Sequence, residues 1–443
     1  MKKFFSTIKN IFSIEELRMR IIMTLLFLVV FRLGSFIVLP GIDPSTVKAD
    51  DGTNEGLLGI INVFSGGAFN NVSVFGLGIM PYISASIVLQ LLTFAVPHFQ
   101  KLQKDGESGR KKINQYTRLL TIVITLAQSI GYLAAFVKPE NIYPGMDDVF
   151  MNFVRIISLV AGTMFCMWMG ERITEKGIGN GISMLIMVGI ISRLPTAILI
   201  EVDAKKLQGA LPLLIEFFAL FGVVMAVVAL TQATRRIAVQ YAKQVVGNKV
   251  YGGQRQYVPL KLIGAGVMPI IFAQSVMFVP ALITPLLGEG NDWAQSIGVA
   301  FADFTSWQYN LTFATLIIVF TFFYTAITVN PQQMAEDLKR NGGFIPGVKP
   351  GQQTSEFIDD ILTKITFPGA IFLALVAVLP AFANMAGITR EFSYFFGGTS
   401  LLIMIGVVLD TLQQIESYLL MRHYEGMMKT GRLKGRAESP VAV

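Results

Sequence analysis

Residues 57–94, LLGIINVFSGGAFNNVSVFGLGIMPYISASIVLQLLTF, decide how the rest of the chain is read. The apolar run Leu57–Phe64 would cover only about 12 Å as a helix, at about 1.5 Å per residue. A bilayer's hydrocarbon core is about 30 Å thick, so this run cannot cross it. Ser65-Gly66-Gly67 then ends the helix, since glycine is costly in a helix interior. Past a polar patch (Asn70, Asn71, Ser73), Val74–Val96 is long and apolar enough to span. Irregular backbone at membrane depth persists only where protein buries it or water reaches it. Two arrangements satisfy this: a half-helix inserted into an interior passage, or a surface-lying turn leading into an ordinary span.

Composition sets the class. The chain has 443 residues, 53% hydrophobic and 15% charged, with a mean hydropathy of +0.58. Soluble domains carry about 25% charged residues, so a polytopic membrane protein is expected. The single cysteine, Cys166, excludes an internal disulfide. His98 and His423 leave little for a metal site, and no cofactor is expected. The start, MKKFFSTIKNIF, is basic and then apolar but has no small-residue cleavage site after the first long run. Residues 1–20 are read as a retained amphipathic cytosolic segment.

Ten candidate spans follow, near Ile21–Leu39, Val74–Val96, Leu119–Val137, Phe153–Gly170, Gly181–Ile200, Leu211–Thr231, Leu262–Leu287, Leu311–Val329, Thr366–Ala383 and Gly397–Leu420. With the amino end inside, 28 of the 36 Lys and Arg fall on the cytosolic side and 7 on the other, with Arg32 inside the first span. The positive-inside rule then places both termini in the cytosol. Five spans per half make the halves run oppositely through the membrane, an inverted-repeat plan. The expected halves are 21–200 and 201–421, with a cytosolic tail over 422–443. The repeat rests on span parity, without internal sequence identity.

The net charge of +7 therefore lies mostly on one membrane face. Two cytosolic loops are longer than orientation requires. Residues 235–261, RRIAVQYAKQVVGNKVYGGQRQYVPLK, alternate apolar and basic residues and fit a β-hairpin. Residues 330–364 carry a Gly/Pro-rich tip, NGGFIPGVKPG. Such loops are either docking projections for an acidic or RNA-bearing partner or solvated orientation signals.

Chemistry is scarce. GxxxxGK[ST] and HExxH are absent, and Gly177-Ile178-Gly179-Asn180-Gly181 follows a helix, so it reads as a turn opening the fifth span. No enzyme is expected. Ionisable residues within spans are few; Arg32, Glu216, Asp410 and Glu416 are the candidates, and only Asp410 is deep enough for a proton or ion relay. Ile79 and Ile83, like Ile182 and Ile186, stand one helical turn apart on a shared face. Spacing alone reads these pairs as packing.

FRLGSFI (31–37), FSGGA (64–68), GIMPYISASI (78–87), DGESGRKKINQYTR (105–118), GTMFCMWMGERITEKGIGNGIS (162–183), RRIAVQYAK (235–243), NPQQMAEDLKRNGGFIPGVKPG (330–351) and FGGTSLLI (396–403) give the chain another context. Across almost its whole length the chain resembles the SecY family of protein-conducting channels. The resemblance implies an all-α membrane fold of ten helices, in two inverted halves forming a clamshell around an hourglass pore, with a short re-entrant plug helix. It implies a pore ring at Ile79, Ile83, Ile182, Ile186, Ile271 and Ile403. The plug falls on 57–69, with Leu57, Ile60, Ile61, Val63, Phe64, Gly66 and Gly67, and a lateral gate on Ile87, Gln90, Gln274 and Ser275. Cytosolic docking of a ribosome or the SecA motor maps to Arg235, Arg236, Lys243, Lys249, Arg255, Arg340 and Lys349. Lys349 departs from the arginine usual in the family and lacks its bidentate fork. The implied partners are SecE and SecG-like small membrane subunits, signal sequences, nascent or preprotein chains and membrane lipids, and the implied location is a cell inner membrane. The expected function is passage of unfolded polypeptides across the membrane and sideways release of hydrophobic segments. The competing expectation, an inverted-repeat transporter of a small solute, lacks a mid-depth acidic relay.

Overall fold

The computed structural model describes residues 12–44, 62–137, 141–143, 149–206, 209–241, 244–246, 249–251, 255–264, 266–283, 301 and 303–429. In chain order the elements are α1 (Glu15–Gly34), α2 (Met80–Ala95), α3 (Pro97–Lys104), α4 (Gly106–Phe136), α5 (Val149–Lys176), α6 (Gly181–Ala204), α7 (Ala210–Gln232), β1 (Thr234–Tyr241), β2 (Gln244–Val246), β3 (Lys249–Tyr251), β4 (Arg255–Lys261), α8 (Met268–Ile283), α9 (Trp307–Thr328), α10 (Pro331–Arg340), β5 (Gly343–Phe344), α11 (Gln352–Met385), α12 (Arg390–Ser393) and α13 (Gly398–Lys429).

Among the described residues, seven helical stretches are long and apolar enough to cross a membrane: α4, α5, α6, α7, α9 running into α10, α11 and the first part of α13. An eighth span arises if α2 and α3 count as one, although they bend by 100° at their junction. Pro97 causes that bend, because its ring pushes Val96 out of the helical region to φ −113°, ψ 119°. The remaining two expected spans coincide with α1 and the 16-residue α8. Charged Glu15, Glu16, Arg18 and Arg20 occupy the first turns of α1. Apolar side chains such as Leu119, Val123, Leu211, Phe218, Leu311 and Leu375 stand exposed, as a chain solvated by lipid tails requires.

Two boundaries differ from the sequence expectation. The first helix ends at Gly34 rather than Leu39, because the backbone beyond it pairs with the segment after the break. Leu39 N–H donates to Val72 O at 3.0 Å, and Val74 N–H donates to Ile37 O at 2.8 Å. That pairing occupies residues expected to open the second span, so α2 begins only at Met80.

The described residues fall into two compact units. One lies within Met1–Ala49, Phe64–Ile191 and Val407–Val443. Its core gathers Phe31, Ala68, Phe75, Ile79, Cys166, Met169, Ile173 and Leu185. A buried hydroxyl ladder runs up α4: Thr117, Thr121, Thr125 and Ser129 each donate to the carbonyl four residues earlier, at 2.6–3.0 Å. Back-bonding satisfies these hydroxyls without a partner helix. The second half of α13 joins this unit, with the Gly179 N–H donating to Gln414 Oε1 at 2.8 Å and Arg20 over the Tyr418 ring.

The other unit lies within Asp50–Val63 and Ser192–Gly406. It carries the two long basic loops expected to face the cytosol, and these form one structure. β1 and β4 make an antiparallel hairpin from Thr234↔Lys261 to Gln240↔Arg255, and β2 pairs with β3. β5, from the 330–364 loop, adds to the free edge of β1 at Gln240↔Phe344 and Tyr241↔Gly343. The strand order β4-β1-β5 leaves Pro259 on an edge, where its missing N–H costs no ladder bond. Ile237 and Val239, two residues apart on one face of β1, pack with Leu260, Ile345, Ile358 and Leu362.

Candidate pore site and cytosolic face

The break after Phe64 is a fixed joint. Gly66 and Gly67 adopt φ +65° and +91°, two consecutive left-handed residues that glycine accepts without steric cost. Around them the backbone is tied at every step. The Ser65 hydroxyl accepts from Phe69 N–H at 3.1 Å, Ser73 donates to Ala68 O at 3.0 Å, and Tyr132 donates to Phe69 O at 2.5 Å. Arg32, on α1, donates from Nη1 to Gly66 O at 2.6 Å, and its guanidinium lies 4.7 Å from the centre of the Phe36 ring. Gly189 on α6 lets the joint approach closely: a Cβ there would stand 2.3 Å from Phe64 O and 3.2 Å from Gly66 N. Gly189→Ala is therefore expected to destabilise this unit by about 1–3 kcal/mol. Thermal unfolding of the purified protein measures it, and an unchanged midpoint would show that the joint yields freely.

Of the six ring isoleucines, four lie in this unit. Ile79, at the cap of α2, and Ile186, on α6, are 5% and 6% exposed, while Ile83 and Ile182 are half-buried. Ile79, Ile83 and Ile186 converge with Phe64 and Ser65 on a cavity of about 10 Å³. That is barely room for one water. Ile182 packs against the same core cluster. Ile271, on α8, is half-buried and Ile403, on α13, is buried, both in the second unit. Among the plug residues, Val63 and Phe64 are buried, whereas Leu57, Ile60 and Ile61 lie outside the described residues.

The gate residues divide similarly. Ile87 is buried on α2, and Gln90 on the same helix donates to Ser86 Oγ at 3.4 Å. On α8, Ser275 donates to Ile271 O at 2.9 Å, and Gln274 is buried. Gln274 lines a cavity of about 30 Å³ with Tyr309, Asn310, Tyr394, Thr399 and Ser400, all within the second unit. Burial pushes the Tyr394 phenol above its ordinary range, which keeps it protonated and able to donate.

Sequence reasoning missed an ionic cluster in the second unit. Lys205 pairs with Glu201 at 3.1 Å and, more closely, with Glu216. Glu201 also accepts from the N–H of Thr389 at 2.8 Å and from its hydroxyl. All three charged residues are buried. Their spacing carries a faint signal, since Glu201, in the last turn of α6, and Lys205, one residue past its end, are four residues apart. Asp410, the expected relay candidate, is exposed on α13.

Of the residues expected to dock a partner, Arg235, Arg236 and Arg255 are exposed on the β1–β4 hairpin, and Arg340 and Lys349 are exposed beyond it. Lys249 begins β3, and Lys243 lies outside the described residues. The tip is shaped by an Asn330 cap on α10, whose side chain accepts from Gln332 and Gln333 N–H. A Thr354 hydroxyl bond to Lys349 O at 2.9 Å holds its far end.

A family model described as SecY covers residues 73–412. The chain belongs to the SecY family. The protein translocase subunit SecY of Streptomyces scabiei is 41% identical over 434 residues, covering 94% of this chain and 98% of the relative. The SecY fold appears in a solved protein-conducting channel, with a TM-score of 0.62 at 16% identity over 90% of this chain and 92% of that one. It appears again in Sec61 of a canine ribosome-channel complex, with a TM-score of 0.58 at 14% identity over 90% and 92%.

Proposed function

We propose that this SecY-family chain is the pore of a protein translocase, passing unfolded polypeptides across a cell inner membrane and releasing hydrophobic segments sideways into lipid. The observation that carries the reading is the convergence of Ile79, Ile83 and Ile186 with Phe64 and Ser65 on one cavity of about 10 Å³. A polar constriction would hold a continuous water wire and leak ions. Branched alkyl groups exclude water when nothing threads them, gating by dewetting. Isoleucine is stiff about χ1, so the ring keeps its bore while its outer methyls yield. Ile182, Ile271 and Ile403 complete the ring in this reading, and residues 57–69 are the plug.

The family resemblance assigns the sideways exit to a seam that includes Gln90, Gln274 and Ser275. Polar contacts between membrane helices are worth only about 0.6 kcal/mol each. A segment of about ten leucines gains about 3–6 kcal/mol in lipid, which exceeds such a seam. Charged segments gain nothing there and continue across. Without a nucleotide-binding motif in its sequence, the chain takes its driving force from a cytosolic partner, a SecA-type motor or a synthesising ribosome. SecE and SecG-like subunits would hold the two halves together.

The test is reconstitution. Vesicles holding this chain with its co-purified small subunits and a motor should render an unfolded secretory precursor protease-resistant, and no protected precursor would overturn the reading. Docking has its own test. Charge reversal at Arg236 and Lys249 should weaken ribosome or motor binding about 10- to 100-fold, at about 1 kcal/mol or slightly more per contact, without lowering channel abundance. Unaltered binding would leave those bases as orientation signals only.

A further inference from the structure

Arg32 is the one basic residue that the sequence reading leaves inside the first span, and its position there is costly unless something repays it. The structure supplies a specific partner. The guanidinium reaches from α1 across to the carbonyl of Gly66, 34 residues away, at 2.6 Å. That carbonyl belongs to the left-handed pair at the centre of the joint. Phe64 and Ser65, immediately before it, line the cavity with Ile79, Ile83 and Ile186. The ring of Phe36, two residues past the end of α1, lies over the guanidinium at 4.7 Å. Of the other side-chain ties on the segment, those from Tyr132 to Phe69 and from Ser73 to Ala68 act after the glycine pair, and that from Phe69 N–H to the Ser65 hydroxyl spans it. Among the hydrogen bonds described for the joint, only the Arg32 bond brings a charged side chain onto the glycine pair itself.

We propose that Arg32 is a latch: its bond to Gly66 keeps the Phe64–Gly67 joint seated against the pore isoleucines and so sets the threshold that an arriving polypeptide must exceed to open the channel. It is a positioning residue, and the proposal rests on the pore reading given above. A charge-assisted bond of this kind is stronger than a neutral one. Its loss should raise the population of the unseated joint about 10- to 100-fold. Lysine at 32 keeps a donor without the planar fork, so it should restore most of the seating.

The experiment uses the full chain with its co-purified membrane subunits in vesicles and reads two things. The first is the rate at which a membrane-impermeant maleimide labels Ser65→Cys, a position 4% exposed in the seated joint. The native Cys166 is 0% exposed and contributes little background. The second is resting chloride flux. With Arg32→Met, Ser65→Cys labelling should rise about 10- to 100-fold, and Arg32→Lys should show a rise of only a few-fold. Labelling of Ser129→Cys, fully buried on α4, should stay unchanged, and an equal rise there would mean general loosening and overturn the latch. Unchanged Ser65→Cys labelling in both Arg32 variants overturns it too. If Arg32→Met does not accumulate, Arg32→Lys decides alone, and a wild-type labelling rate in it overturns the latch. Faster labelling with no added flux would keep the latch and overturn the pore reading. Flux that responds to polar substitution at Ile83 and Ile186 but not to Arg32→Met would do the reverse.

Discussion

Vesicles carrying the double variant Ile83→Asn, Ile186→Asn should leak ions at rest on the order of 100-fold faster than wild type, with no polypeptide in transit. Both side chains line one cavity of about 10 Å³, together with Phe64 and Ser65. Burying an isoleucine is worth about 1.5–3 kcal/mol relative to leaving it wet. Two amides in that space replace water exclusion with four donors and two acceptors that recruit water. The same pair changed to valine keeps the branched surface and should leave the flux within a few-fold of wild type. Leak measured by anion-sensitive dye decides it. Wild-type flux in the asparagine variant would mean that these side chains only pack.

The second large effect concerns folding of the other unit. Lys205→Met should destabilise it by about 3–5 kcal/mol, because two buried carboxylates lose their shared cation. Glu201 and Glu216 both pair with Lys205, and Glu201 also holds Thr389 N–H and hydroxyl. For a unit of about 200 residues this corresponds to a fall in melting temperature of about 10 °C. Glu216→Gln removes one charge and leaves the Lys205–Glu201 pair balanced, so its cost should be near 1 kcal/mol. Thermal unfolding of the purified complex measures both. Equal melting of Lys205→Met and wild type would show that water reaches the cluster.

How much of this was legible from residues alone varies with the kind of signal. The half-length apolar run, the glycine pair and the polar patch announced a break, and the joint is there. The alternation over 235–261 announced a hairpin, and β1 and β4 form it. What was hidden depends on contacts between distant segments. Val74–Ile79 read as span because they are apolar, yet their backbone is spent on pairing with Ile37 and on turns. β5 is two residues long, too short for any periodicity. Charge counting placed Arg155 and Lys205 among outer-loop bases. In fact Arg155 is fully buried on α5, donating to Asn152 Oδ1 at 2.7 Å and Pro40 O at 3.1 Å. A buried charge looks like a surface one until its partner is located. The hydroxyl ladder of α4 was likewise invisible, because each of its bonds closes within the helix itself.

The stitching of β5 onto β1 has a mechanical corollary. Each basic loop, taken separately, would be a tethered flap. Sewn together at Gln240 and Tyr241 and seated on Ile358 and Leu362 of α11, they form one platform on a single helix. That helix has 34 residues, about 50 Å, and carries Pro368 and Pro380 in its interior, so a load on the platform meets one jointed rod rather than two loose linkers.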